Sequence, residues 1–254
     1  MLFTGGGTAG HVTPNVALIE HFRKLDMDVV YVGSVTGIER NIIANIGIRY
    51  LSISSGKFRR YFDWQNFIDP FRIIWGLLQS LVICLREHPQ VVFSKGGFVA
   101  VPVVVAAWLL RIPVICHESD VTPGLSTRLC SPLVQTICVN FPQTTQYLKS
   151  AKTLVTGTPI REALFKGDDR SGRDALSFTK DKPIVMVFGG SLGAARINAA
   201  VRGALDELLS RYQVVHVVGA GNLDDRFASP GYVQREYLYE EFGDVLAAAE
   251  VVVA

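Results

Sequence analysis

Three consecutive glycines, Gly5-Gly6-Gly7, lead through Thr8-Ala9-Gly10 to an imidazole, His11, and then to Val12-Thr13-Pro14. With no Cβ at three adjacent positions, phosphate or sugar oxygens can approach the backbone amides directly. Thr13-Pro14 reads as a helix N-cap followed by proline at the first helical position. A helix over 15–25 then points its partly positive N-terminus at whatever lies over the glycines. His11 adds a side chain whose pKa lies near working pH. The stretch is an anion site with an acid–base residue beside it. The plainer alternative is a histidine that only hydrogen-bonds a nearby backbone group.

Two further glycine loops extend the pattern. Ser94-Lys95-Gly96-Gly97-Phe98 follows a β-rich run and precedes a helical one. It is either an ordinary turn or a second opening of amides at the carboxyl edge of a sheet, where open α/β sheets bind ligands. Gly189-Gly190-Ser191-Leu192-Gly193 can cradle a diphosphate with its amides and the Ser191 hydroxyl. His117-Glu118-Ser119-Asp120 brings three ionisable side chains to the same edge, as site residues or as local caps. Arg161, just past Gly157-Thr158-Pro159, pairs with a phosphate or is a surface arginine. Gly5-x-Gly7-x-x-Gly10 also matches the dinucleotide fingerprint, which requires an acid at the end of the second strand. Here that strand ends Tyr31-Val32-Gly33-Ser34, and the nearest acid, Glu39, falls inside the next helix. The nicotinamide reading is disfavoured on that ground, and no Gly-Lys-Ser/Thr follows any loop.

The elements that must carry these loops alternate. Strands are predicted over 2–4, 28–33, 49–54, 90–94, 113–116, 136–139 and 153–156, and helices over 15–25, 37–46, 66–87, 99–110 and 123–130. Near-continuous apolar strands alternating with helices indicate a parallel sheet covered on both faces. A second round begins after Gly157-Thr158-Pro159: strand 184–188, helix 194–209, strand 214–218, helix 242–249 and a last strand at 251–253. Two Rossmann-like domains facing each other across a cleft are expected, 1–157 and 158–254. The second is too short to repeat the first, so the sequence is expected to continue beyond Ala254.

Composition agrees with a globular α/β chain: 254 residues, 49% hydrophobic, 19% charged, net charge +2. That charge and the absence of a Lys/Arg block argue against nucleic acid. Four cysteines without a CxxC pair read as buried thiols rather than disulfides or metal ligands. The longest apolar run, 98–110, falls short of the roughly 18 residues a membrane span needs. Lys57-Phe58-Arg59-Arg60-Tyr61-Phe62 followed by Trp64, Phe67, Phe71, Ile74, Trp75, Leu77 and Leu78 reads as a core-facing helix with a basic lead-in. An interface with an anionic bilayer is the other reading.

The linked motifs Gly5 to Pro14, Lys95-Gly96-Gly97-Phe98-Val99, His117-Glu118-Ser119-Asp120, Gly157-Thr158-Pro159-Ile160-Arg161 and Gly189-Gly190-Ser191-Leu192-Gly193-Ala194-Ala195-Arg196 resemble the MurG family in order and spacing. The resemblance covers essentially the whole chain. It implies a GT-B glycosyltransferase, inverting and metal-independent, that moves GlcNAc from UDP-GlcNAc to the MurNAc C4 hydroxyl of lipid I, giving lipid II for peptidoglycan. It implies no cofactor, and peripheral work on the cytoplasmic face of the bacterial plasma membrane. The first domain would take the acceptor and the membrane, the second the donor. His11 matches the family's general base. Thr8, Ala9, Gly10, Asp120, Arg161, Ser191 and Leu238 match donor-contacting positions, with Ala9 and Asp120 standing where glycine and asparagine are common. Gly6, Gly7, Gly96 and Gly97 match the acceptor-diphosphate loops. Phe71, Arg72, Ile74 and Leu77 match the membrane patch. The family's later donor loop and sugar-reading residues have no counterpart here, so residues 1–254 alone are expected to bind UDP-GlcNAc weakly or not at all. Two alternatives stay open: another GT-B lipid glycosyltransferase, such as one acting on diacylglycerol, or an inactive remnant that only binds membrane or lipid diphosphate.

Overall fold

A computed structural model describes residues 1–56, 65–148, 152–190, 193–238 and 240–254. The lead-in 57–64 and Ser191 lie outside the described residues. The chain divides into two compact units, Met1–Arg161 and Glu162–Ala254.

The first unit alternates strands and helices: β1 (Leu2–Thr4), α1 (Ala9–Lys24), β2 (Val30–Ser34), α2 (Ile38–Asn45), β3 (Arg49–Ile53), α3 (Gln65–Glu87), β4 (Val92–Ser94), α4 (Ala100–Leu109), β5 (Val114–Glu118), α5 (Leu125–Cys130), β6 (Thr136–Val139) and β7 (Lys152–Val155). All seven strands are parallel, in the order β3-β2-β1-β4-β5-β6-β7. The order reverses between β1 and β4, which are hydrogen-bonded neighbours with Thr4 opposite Ser94. A switch point of this kind leaves a crevice at the carboxyl ends of the strands. The first two glycine loops both leave the sheet there.

Alternation along each strand divides the core. Leu2, Val30 and Val32 pack on one face with Val103, Val104 and Cys84 from α4 and α3. Phe3 and Tyr31 pack on the other with Val12, Val16, Ile19 and Ile43 from α1 and α2. Cover on both faces is why these strands read as unbroken apolar runs. Three of the cysteines are buried, Cys138 half-buried, and all four are free. Burial pushes the thiols up, Cys84 to about 11 and Cys130 to about 12.

The second unit holds α6 (Asp169–Leu176), β8 (Ile184–Phe188), α7 (Ala195–Gly203), α8 (Leu205–Arg211), β9 (Gln213–Val217), β10 (Tyr232–Arg235), α9 (Phe242–Ala248) and β11 (Val251–Val253). Its parallel sheet runs β10-β9-β8-β11, the same reversal in a smaller form.

Three sequence expectations need correction. α1 begins at Ala9, not after Thr13: Thr8 is the extended residue before it, and Pro14 lies inside the helix. Pro14 removes the amide that would bond the Gly10 carbonyl, and Gly10 is exposed, so water can satisfy that group. The predicted helix 194–209 is two helices, broken at Ala204 after Gly203. α6 and β10 were not predicted. α6 opens on Asp168, whose carboxylate caps the helix by accepting the Ser171 amide at 2.7 Å.

Candidate active site

The first glycine loop is held from beneath. Gly6 and Gly7 lie over the carboxylate of Glu39, which is fully buried. Glu39 Oε2 accepts the Gly7 amide at 3.2 Å, and Oε1 accepts the Ser34 amide at 3.0 Å and its hydroxyl at 2.6 Å. From the opposite side Tyr31 donates its hydroxyl to the Gly5 carbonyl at 2.7 Å, and Asn15 donates to Tyr31 at 3.1 Å. The Gly7 amide is therefore engaged by the protein, and the cradle has one donor fewer than three glycines suggest. The second loop locks onto the first. Gly97 sits at φ +83° against the Gly6 peptide, where any Cβ would run into the Gly6 carbonyl.

His11 stands on the first turn of α1 between the two loops, half-buried. Its Nδ1 is 3.1 Å from the Gly6 carbonyl oxygen and 3.1 Å from Thr8 Oγ1. A carbonyl only accepts, so the proton is assigned to Nδ1, and Nε2 carries the free lone pair. Burial, and secondarily the nearby Lys95 ammonium, hold His11 below the ordinary imidazole range. The backbone bond and the base role are thus not competitors: the bond to Gly6 presents Nε2 as a base.

The loop after β5 is mostly self-bracing. Glu118 accepts the Asp120 and Gly124 amides, both at 3.1 Å, and His117 Nε2 meets the Gly157 carbonyl at 2.9 Å. His117 Nδ1 is buried without a hydrogen-bond partner among the described residues. Asp120 is exposed, and Asn140 ties Ser119 to Thr158 at 3.2 and 2.6 Å. Lys95, which follows β4, is 2% exposed and donates Nζ to Ser119 Oγ at 3.1 Å. Among the described residues, no group of three or more His, Cys, Asp or Glu side chains is placed to hold a metal.

Structure thus brings Gly6, Gly7, Thr8, His11, Gly96 and Gly97 together, with Ala9 and Gly10 forming the first turn of α1. Arg161 closes the first unit with Nε lacking a hydrogen-bond partner among the described residues. Leu238 packs against the core of the second unit. On α3, Phe71, Ile74, Trp75, Leu78, Val82 and Leu85 form an exposed stripe at helical spacing, Phe71 being 74% exposed. Arg72 lies beside it and is also exposed, whereas Leu77 turns inward onto the core. Sequence reasoning missed Glu39, Tyr31 and Lys95, and it missed the outward continuation of the α3 stripe through Val82 and Leu85.

In the second unit the third glycine loop rests on a buried polar chain. A Cβ at Gly193 would strike the Val218 carbonyl, which accepts Asn198 Nδ2 at 2.9 Å. Asn198 Oδ1 accepts from His216 Nε2 at 3.0 Å, and His216 Nδ1 accepts the Tyr232 hydroxyl at 2.8 Å. His216 is fully buried and neutral, its pKa lowered from 6.5 to about 4 by burial and then by Arg202. Unfolding lets it take up a proton between those values, so the stability it contributes is complete above pH 6.5 and is lost as pH falls toward 4. At pH 5 this residue should cost the unit about 2 kcal/mol relative to pH 7.5. Urea denaturation at the two pH values measures the difference, which should shrink in His216→Gln.

A doubly wound parallel unit with paired glycine loops at its switch point, followed in the chain by a second, smaller unit of the same kind, has the architecture of the GT-B class. Residues 1–139 match the glycosyltransferase family 28 N-terminal domain and residues 184–254 its C-terminal domain. The whole chain is 49% identical to a UDP-N-acetylglucosamine--N-acetylmuramyl-(pentapeptide) pyrophosphoryl-undecaprenol N-acetylglucosamine transferase from Clostridium botulinum, spanning 72% of it. Identity to the same-named transferase of Clostridium perfringens is also 49%, spanning 71% of that chain. Among solved structures, Acinetobacter baumannii MurG superposes with a TM-score of 0.70 at 22% identity, over 99% of this chain and 71% of that one. A UDP-GlcNAc 2-epimerase from Neisseria meningitidis shares the fold at TM-score 0.66 and 14% identity, over 99% and 76%. The chain belongs to the MurG family of glycosyltransferases.

Proposed function

We propose that the protein transfers GlcNAc from UDP-GlcNAc to the MurNAc C4 hydroxyl of lipid I, forming the peptidoglycan precursor lipid II with inversion at the anomeric carbon. One observation carries the reading: His11 presents a free Nε2 at the place where two interlocked glycine loops meet. In this scheme Nε2 takes the proton of the acceptor hydroxyl as its oxygen attacks the anomeric carbon and UDP departs. The acceptor's diphosphate lies against Gly6, Gly7, Gly96 and Gly97. Thr8, Ala9, Gly10, Asp120, Arg161, Ser191 and Leu238 contact the donor, with Arg161 offsetting the charge that develops on the leaving diphosphate. Residues 1–157 serve acceptor and membrane, and 158–254 the nucleotide.

The α3 stripe supports peripheral attachment to the cytoplasmic face of the membrane, since bulky apolar side chains lie exposed beside Arg72. Among the described residues no helix is long and apolar enough to cross a bilayer. A transfer assay with radiolabelled UDP-GlcNAc and acceptors in anionic or neutral vesicles tests both parts. Label should enter lipid I and not diacylglycerol, Phe71→Ser with Ile74→Ser should lower transfer in vesicles of both kinds, and Arg72→Ala should reduce any advantage of anionic vesicles. Labelling of diacylglycerol would move the chain to another lipid glycosyltransferase, and vesicle binding without transfer would reduce it to a binding remnant.

A further inference from the structure

Lys95 is a buried cation at the switch point to which the proposed reaction assigns no role. It is 2% exposed, yet its ammonium has no carboxylate within ion-pair distance among the described residues. The nearest acids are otherwise occupied or turned out. Glu118 accepts two amides of its own loop, and Asp120 is exposed. Nζ makes one hydrogen bond, to Ser119 Oγ, so two of its three protons lack a protein acceptor among the described residues. A lysine present only for packing carries its charge to water along its stem. This one instead packs its Cβ over Gly5 and stops beneath half-buried Ser119.

A desolvated ammonium that no carboxylate contacts, with two protons lacking an acceptor, costs free energy unless an anion completes it. Its position says which anion. Lys95 is the first residue after β4, its amide bonded to the Thr4 carbonyl at 2.9 Å, so it stands at the switch point between both glycine loops. We propose that Lys95 binds the diphosphate of the lipid acceptor, its ammonium meeting oxygens that rest on the Gly96-Gly97 turn. This rests on the reading of that turn as the acceptor-diphosphate site. Glu118 and Asp120 favour the charged ammonium against the desolvation that lowers its pKa. Lys95 in turn favours neutral His11, whose charged neighbours also include those two acids. One ammonium thereby receives the acceptor and keeps its base unprotonated.

Calorimetry on the whole chain tests this with farnesyl diphosphate, farnesol and inorganic pyrophosphate as probes. Lys95→Met keeps the length of the side chain and removes its charge. It should weaken farnesyl diphosphate binding roughly 10- to 100-fold, as expected for a charged hydrogen bond, and flatten its salt dependence. A matching loss for inorganic pyrophosphate places the ammonium on the diphosphate rather than on the lipid. Nitrogen NMR of the wild-type lysines gives a second readout that needs no variant: the Lys95 ammonium resonance should shift with farnesyl diphosphate and not with farnesol. Gly97→Ala, which obstructs the turn, separates the two readings. Binding lost in Gly97→Ala but within twofold of wild type in Lys95→Met would overturn the role of Lys95 and leave the loop assignment standing. Wild-type protein that binds farnesyl diphosphate no better than farnesol would overturn both.

Discussion

Glycosyl transfer should fall roughly 100- to 10,000-fold in His11→Ala, the range lost with a general base, while vesicle binding stays at the wild-type level. The two readouts separate because His11 sits at the switch point on α1, whereas the apolar stripe runs along α3. Geometry defines the chemistry lost. The Gly6 carbonyl accepts the Nδ1 proton, so Nε2 is the only nitrogen left with a lone pair. Burial and Lys95 both disfavour imidazolium, so the neutral, competent form persists below the ordinary imidazole range. The acid limb of kcat/KM should therefore lie below pH 6.5 in the wild type, reporting the free enzyme's base. His11→Gln restores a side chain of similar length without a titratable base and should not recover the rate. Transfer within a few-fold of wild type in either variant would remove His11 from the mechanism.

What the sequence disclosed was local, and what it concealed was held by partners far along the chain. A glycine loop, a strand and its following helix lie within a dozen residues, so β1, β4, β8 and their loops were readable from spacing alone. The start of α1 was misplaced because Thr13-Pro14 has the form of a helix start. The glycines before it do not disclose that the helix already begins at Ala9. Glu39 shows the limit most clearly. An acid at the third position of the expected helix 37–46 shows no partner in the sequence, and the lack of an acid at the end of β2 counted against a dinucleotide site. In the fold that carboxylate is fully buried and bonded to Gly7, 32 positions away. No periodicity carries such a pairing. One local hint was present: Gly33, Gly37 and Gly6 all lack the Cβ that would strike the Glu39 side chain. Lys95 appeared in the sequence only as a member of its glycine-loop motif, because nothing local discloses that its side chain turns inward.

Replacing Glu39 should damage the site from beneath more than any surface change can. In Glu39→Ala the Gly7 amide, the Ser34 amide and the Ser34 hydroxyl lose their acceptor together. A buried donor left unsatisfied costs ~1–3 kcal/mol, but Gly7 is exposed and Ser34 half-buried, so water partly satisfies the freed amides and the loss should be about 2–4 kcal/mol. That is a large fraction of a domain's usual stability of roughly 5–15 kcal/mol. Urea unfolding followed through Tyr31 and Tyr50, which stack at 5.9 Å beside this carboxylate, reports it directly. Glu39→Gln keeps shape and one good acceptor. If its oxygen retains Ser34, its amino group faces the Gly7 N–H, donor against donor. The expected penalty is then smaller, about 1–2 kcal/mol, but it falls on the glycine loop itself. Gly7 must turn away, carrying the Gly6 carbonyl that orients His11 and the peptide against which Gly97 packs. At a temperature where Glu39→Gln remains folded, kcat should therefore fall at least tenfold, with the His11 acid limb displaced. A merely structural carboxylate would lower the unfolding midpoint and leave both kinetic readouts unchanged. The Gly7 amide bond to Glu39 makes the positioning role the expected outcome.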